Sequence, residues 1–471
     1  MAKTTATYRC GECGWVSPVW VGRCKECQAW GSVAETSATA STTKATAPAA
    51  SAVPITEVGA EEARAVPIGI AELDRVLGEG LVPGAVVLLA GEPGVGKSTL
   101  LLEAAASWAR AGRRTLYVSA EESAAQVRRR ADRTGALTSE LYLTAENDLG
   151  AVLGHIEQLS PTLLVLDSVQ TVSASGTDGV AGGVTQIREV TNALVRVAKR
   201  RAMSVLIIGH VTKEGAIAGP RTLEHLVDVV LSFEGDRHSG LRMVRATKNR
   251  FGPADEVGCF EMTERGIEQV ADPSGLFTTG QAAQSPGTCV TVTLEGRRPL
   301  LAEVQALVSP SAAQVPRRAT HGVEGSRVAM ALAVLQRKAG VKTHHRDVYV
   351  STVGGIRLAD PGADLAVAIA VTSATGDWRP TLPFVALGEV GLSGDVRRVA
   401  GVARRLAEAE RLGIKAALVP RGSGCGSTAA LRVVEVGTVA DALDVVWKSF
   451  ADHSGPTDLR AWKRKAAPTG A

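Results

Sequence analysis

Gly91, Glu92, Pro93, Gly94, Val95, Gly96, Lys97, Ser98 and Thr99 follow one another in the order of a phosphate-binding loop. Its glycines let successive backbone N–H groups turn inward on phosphate oxygens. Lys97 reaches the β- and γ-phosphates, and the Ser98 hydroxyl is a ligand for Mg2+. Such a loop works only between a strand and a helix. The apolar run 85–90 before it predicts a short buried strand. The Leu- and Ala-rich run 99–111 after it predicts a helix whose positive end faces the phosphates. The ligand this implies is a nucleoside triphosphate, ATP in the first instance.

Cleaving a triphosphate asks for carboxylates. Four apolar residues, 163–166, lead into Asp167, which can hold Mg2+ through water at the end of a central strand. The stretch Tyr-Val-Ser-Ala-Glu-Glu, 117–122, puts Glu121 and Glu122 just beyond a neighbouring strand, where the crevice of such a sheet opens. Glu121 is the expected base for the attacking water, with Glu122 capping or auxiliary. The alternative is that both are helix N-terminal acids favoured by the dipole. Strand 204–209 leads into His210, either a sensor of the γ-phosphate or a structural histidine. The loop after it mixes glycines with Lys213 and Arg221. It reads as a strand-binding element for nucleic acid or as a solvated loop. The Gly-rich stretch 173–185 poses the same choice.

A second chemistry sits at the start of the chain. Cys10, Cys13, Cys24 and Cys27 form two C-x2-C knuckles. Two knuckles close a tetrahedral four-thiolate site, which suits structural Zn2+. A module this small has no sizeable hydrophobic core, so the metal must supply most of its stability. A redox dithiol is the competing reading, disfavoured by the duplication. Cys259, Cys289 and Cys425 are scattered and read as plain buried thiols.

The elements that position these groups fall into blocks. The chain has 471 residues, 45% hydrophobic and 21% charged, with a net charge of +4. That length calls for about two to four domains. The small charge permits local basic patches without pointing to nucleic acid. No apolar run is long enough to span a membrane, the N-terminus lacks a signal-peptide core, and the cysteine usage suits a reducing compartment, so a cytoplasmic location is expected. Residues 1–33 hold the zinc finger, and 34–54 form a flexible Ala/Thr/Ser/Lys linker. Residues 55–272 alternate predicted strands (85–90, 115–119, 163–167, 204–209, 227–233, 241–247) with helices (100–111, 123–134, 149–159, 186–201). That alternation means a mainly parallel α/β sheet covered on both faces. A turn-rich linker, 273–287, precedes a second mixed domain, 288–450, with strands at 289–294 and 348–353 and helices at 327–338 and 402–412. A loose basic tail, 451–471, ends the chain.

The motif order resembles a known family. The four-cysteine pair, the phosphate loop, His210-Val-Thr-Lys-Glu-Gly215 and above all Lys248-Asn-Arg-Phe-Gly252 are those of the bacterial RadA (Sms) DNA repair family, RecA-like ATPases, over nearly the whole chain. The resemblance implies a RecA-like P-loop ATPase core, a hexameric ring around DNA, ATP-driven translocation on single strands, and branch migration of branched DNA beside a recombinase partner. Lys248 and Arg250 follow strand 241–247, where paired cations can reach a neighbour's γ-phosphate across a subunit interface. A surface salt-bridge turn is the plain alternative.

Residues 288–450 are similar to the proteolytic domain of Lon-type ATP-dependent proteases, an α+β fold, through 353–355, 360–366 and 388–394. Those enzymes use a serine activated by a lysine. This chain has Ala363 and Asp364 where the serine motif falls, and Ala403, Arg404 and Arg405 where the lysine falls. Arginine stays protonated and cannot act as the base. The similarity therefore implies a proteolytically inactive scaffold. Arg317, Arg318, Lys342, Arg346, Arg397 and Arg398 are candidates for an outer DNA face, or are plain surface charges. An ATP-dependent protease, a clock-type RecA-like kinase and a non-enzymatic zinc adaptor remain as rival functions.

Overall fold

The computed structural model describes residues 7–36, 53–57, 59, 63–177, 179–210, 223–235, 240–278 and 285–450. Lys213 and Arg221, most of the linker 34–54 and the tail 451–471 lie outside the described residues. The first unit, residues 1–60, is built on a three-stranded antiparallel sheet of β1 (Thr7–Cys10), β2 (Val16–Ser17) and β3 (Val33–Thr36), in the order β2-β1-β3. Its core consists of Cys10, Cys24 and Val33, with Tyr8, Trp15 and Val21 packed against them. β3 carries the ordered module three residues past the expected boundary at 33.

The second unit, 61–471, starts with α1 (Ala71–Leu77), β4 (Val86–Gly91) and α2 (Lys97–Arg110). Next come β5 (Thr115–Ser119), α3 (Ala124–Thr134), β6 (Leu141–Ala145) and α4 (Leu149–Leu159). β7 (Leu163–Asp167), α5 (Val184–Arg201) and β8 (Ser204–His210) follow. Local signals set many of these limits. Ser123 and Gln126 form a reciprocal capping box at the start of α3, and Asp148 caps α4 through the Ala151 N–H. β4, β5 and β7 are buried along their whole length, as strands covered on both faces must be.

Alternate residues of these strands face opposite layers. Val87, Leu89, Tyr117, Val165 and Ile208 pack under α1, α2 and α3. Val86, Leu88, Val118, Leu166 and Ile207 pack under α4 and α5. The sheet has nine strands, completed by β9 (Val229–Gly235), β10 (Leu241–Asn249), β11 (Val257–Thr263) and β12 (Gly266–Gln269). The order is β12-β11-β10-β9-β4-β8-β7-β5-β6. Six strands from β6 to β9 run parallel, whereas β10, β11 and β12 are antiparallel and extend one edge. The alternation of strands and helices did not announce that edge, because hairpins carry no helix between strands.

A second, seven-stranded sheet follows, with β13 (Thr288–Glu295), β14 (Arg298–Pro310), β15 (Arg318–His321) and β16 (Arg346–Thr352). Its remaining members are β17 (Phe384–Ala386), β20 (Ala416–Pro420) and β21 (Arg432–Val436). A two-stranded ribbon, β18 (Glu389–Val390) with β19 (Val396–Arg397), stands apart. Helix Asp364–Gly376 runs through the core, with helices Gly325–Lys338 and Val439–Phe450 packed against it.

The stretch expected to be a linker, 273–287, does not behave as one in its first half. A short turn, Pro273–Leu276, delivers Phe277 to 1% exposure in a core shared by Leu241, Val257 and Cys259 of the first sheet and Leu300 and Val304 of the second. The Glu303 N–H donates to the Phe277 carbonyl. Beneath this junction Arg298 of β14 and Glu72 of α1 form a buried ion pair.

Candidate functional site

β4 ends at Gly91, and the loop to α2 lies at the carboxyl ends of the parallel strands. A Cβ on Gly91 would meet the Phe233 carbonyl at 2.4 Å, so only glycine lets the loop leave the sheet here. Gly96 precedes the helix at φ 108° with no side-chain cap, which leaves the first N–H groups of α2 free for an anion. Lys97 is 3% exposed and donates to the carbonyls of Gly91 and Glu92, both at 2.8 Å. Desolvation draws its ammonium down to about 8, against the pull of Asp167 and Glu121.

Asp167, Glu121, Ser168 and His210 gather beside this loop. Asp167, at the end of β7, is buried and accepts a hydrogen bond from the Tyr117 hydroxyl at 2.8 Å. The Ser168 hydroxyl donates to Glu121 Oε1 at 2.5 Å, and His210 Nε2 lies 3.1 Å from the same oxygen. Glu122 is engaged elsewhere, in an ion pair with Arg130 of α3. The twin glutamates thus separate by geometry: Glu121 faces the crevice and Glu122 braces a helix. Sequence reasoning missed Tyr117 and Ser168. The available signals were a phenol inside an apolar strand and a hydroxyl directly after the strand-end carboxylate.

Lys248 and Arg250 are not at this end of the sheet. β10 runs two residues further than expected, so Lys248 lies within it, opposite Val230, and Val230 is level with Leu88 of β4. That is about 10 Å back along the strands and about 10 Å across them from Gly91. Lys248 Nζ donates to the carbonyls of Glu224 (2.5 Å) and Val227 (2.8 Å). Arg250 is half exposed, 3.4 Å from Asp228, which also holds Lys199 at 2.7 Å. The Gly-rich stretch after Asp167 is organised by Gln186, which bonds Ala174, Thr177 and Gly179.

In the first unit, the four thiols of Cys10, Cys13, Cys24 and Cys27 lie within 4.8 Å of one another, with Cys10–Cys27 and Cys13–Cys24 at 3.6 Å. Sulfurs bound at about 2.3 Å to one tetrahedral Zn2+ stand about 3.8 Å apart, so the set fits that ion. The Ser32 hydroxyl, with the backbone amides of Cys13 and Glu12, draws the Cys10 thiol down to about 6, toward the thiolate a metal needs.

Comparison with known proteins finds three families in different parts of the chain. An AAA domain family matches residues 58–216, a rubredoxin metal binding domain matches 8–35, and the subunit ChlI of Mg-chelatase family matches 319–423. The chain is 54% identical to DNA repair protein RadA of Mycolicibacterium smegmatis over 456 residues, 94% of this chain and 97% of that protein. It is 54% identical to the protein of that name in Mycobacterium tuberculosis over 463 residues (97% and 96%), and 41% identical to that of Bacillus subtilis over 452 (94% and 99%). The chain belongs to the RadA family. It carries an AAA ATPase domain and a four-cysteine zinc ribbon.

In the Lon-like half of this RadA family member, the positions compared above with the protease dyad carry ion pairs. Asp364 is buried, bonded by Arg327 Nε at 2.8 Å and by the Val390 N–H at 3.1 Å. Burial raises its pKa against the pull of Arg327. Arg405, 2% exposed, pairs with Asp360 and donates to the carbonyls of Val292 (2.5 Å) and Ala400 (3.0 Å). Of the candidate basic face, Arg397 is held by Asp395 and Glu389, while Arg317, Arg318 and Lys342 are exposed. Among the described residues no helix is long and apolar enough to cross a membrane.

Proposed function

We propose that this chain is a cytoplasmic, DNA-stimulated ATPase motor of recombinational DNA repair. In this reading it works as a hexameric ring, translocates on single-stranded DNA, and drives branch migration of branched intermediates beside a recombinase partner. One observation carries the reading. The phosphate loop and the Lys248/Arg250 pair sit at opposite ends of one sheet, so a protomer cannot bring both to one triphosphate, whereas two protomers stacked head to tail can.

In this reading residues 91–99 cradle the phosphates and Lys97 leaves its two carbonyls for the β/γ oxygens. Ser98 and Asp167 would hold Mg2+, which neutralises charge gathering on those oxygens. Glu121 orients the attacking water and takes its proton, steadied by Ser168 and His210. His210 precedes the segment with Lys213 and Arg221, so a shift of Glu121 reaches a DNA-contacting loop. Lys248 and Arg250 lend positive charge to the neighbour's transition state. The division of labour is a zinc finger (1–33), an ATPase domain (55–272) and an inactive Lon-like scaffold (288–450).

The test is ATP turnover with and without single-stranded DNA, with particle mass measured in parallel. Expected are a ring-sized particle and turnover that rises with DNA, both nucleotide binding and turnover being lost in Lys97→Ala. Full-speed, DNA-independent turnover by monomers would refute the motor.

A further inference from the structure

β5 reads Thr-Leu-Tyr-Val-Ser, and Tyr117 at its centre has no exposed surface. Packing alone would be met by phenylalanine. A buried hydroxyl needs a partner, and its position is set by strand pairing. β5 runs parallel to β7, with Tyr117 beside Val165 and Ser119 beside Asp167. Residues in register point to the same face, so all four face the layer of α2, the helix that begins at Lys97. The tyrosine ring spans the diagonal between the strands and places its hydroxyl 2.8 Å from Asp167 Oδ2.

We propose that Tyr117 is a positioning residue for Asp167: its hydroxyl fixes one carboxylate oxygen and thereby keeps the other for the Mg2+ that accompanies the nucleotide. A carboxylate at a strand end has a soft terminal torsion and can rotate about it. Anchored on one oxygen by a donor that is itself locked in the sheet, Asp167 presents a single geometry. Partners behind a ligating group commonly change metal affinity about 10- to 100-fold when removed. The inference rests on the reading of Asp167 as the cation-holding carboxylate.

The experiment titrates Mg2+ into full-length protein holding a fluorescent ATP analogue, comparing wild type, Tyr117→Phe and Asp167→Asn, with melting curves to establish that each is folded. Expected for Tyr117→Phe is unchanged analogue affinity in chelator and a Mg2+ requirement raised about tenfold. Asp167→Asn should raise it further, and adding Tyr117→Phe to Asp167→Asn should change nothing more. A wild-type Mg2+ requirement in Tyr117→Phe beside a shifted one in Asp167→Asn overturns the role of Tyr117. Equal weakening with and without Mg2+ also overturns it, since that is loss of packing. If Asp167→Asn itself leaves the requirement unmoved, the reading of Asp167 falls first.

Discussion

Removing one partner of the Glu72–Arg298 pair should cost far more than removing both. Each side chain is almost wholly buried, at 1% and 6% exposure, in the seam between the two sheets. Arg298 also donates to the carbonyls of Val257 (3.2 Å), Val270 (3.4 Å) and Ala271 (2.7 Å). Those accept hydrogen bonds but do not neutralise charge. Glu72→Met therefore strands a guanidinium, at the upper end of the range for broken buried pairs, about 5 kcal/mol. Glu72 has more help, accepting from the Cys259 N–H at 2.9 Å and lying 3.3 Å from the half-exposed Arg75. Arg298→Met should fall nearer about 3 kcal/mol. The double variant leaves two apolar side chains in contact and should cost less than either single change, which with those single costs means a coupling above about 5 kcal/mol. Urea unfolding followed by tryptophan emission reads both halves, since Trp108 lies in the first and Trp378 and Trp447 in the second. Single costs below about 1 kcal/mol that simply add in the double variant would refute the reasoning.

Two further outcomes test other parts of the molecule. Lys248→Ala should spare nucleotide binding in a folded protein while DNA-stimulated turnover drops about a thousandfold, the loss seen when a cation supplied in trans is removed; retained stimulation would show that its two carbonyl bonds are its whole purpose. Cys24→Ser should abolish bound zinc, read by elemental analysis, and leave basal ATP turnover within about twofold of wild type; full zinc occupancy in that variant would count against the four-thiolate site.

The parts of the site legible in sequence are those whose requirement is local. Gly91, Gly96, Lys97 and Ser98 are spaced by the loop itself, and Asp167 and Glu121 stand where apolar strands end. Tyr117 was hidden because its partner is 50 residues away and is chosen by the pairing of β5 with β7. Helix Asp364–Gly376 was missed because eleven of its thirteen residues are buried, so its sequence shows no polar stripe and no period. Residues 273–278 looked like a linker because Pro, Ser and Gly are turn formers. Only the meeting of two sheets gives Phe277 a place to be buried. Sequence alone did not show what parts Glu121 from Glu122: Arg130, which α3 carries to Glu122 and away from its neighbour.

The ion pairs of the second half are themselves informative. Arg405 is fixed by Asp360, by Val292 of β13 and by Ala400, and so ties its helix, the sheet and the turn before helix Asp364–Gly376 into one body. Arg327 does the same for helix Gly325–Lys338 and Asp364. A reactive crevice must stay open to substrate and keep its base neutral, and a guanidinium buried among carboxylate and carbonyl oxygens does neither. Buried charges are costly to hold and costlier to break, so they suit a body that must keep its shape. Together with Glu72–Arg298, which joins that body to α1, they leave the second half little freedom to lag behind the first. Displacement generated at the phosphate loop would then move the Lon-like half as a rigid load, as the scaffold role proposed above requires and a protease gate would not tolerate.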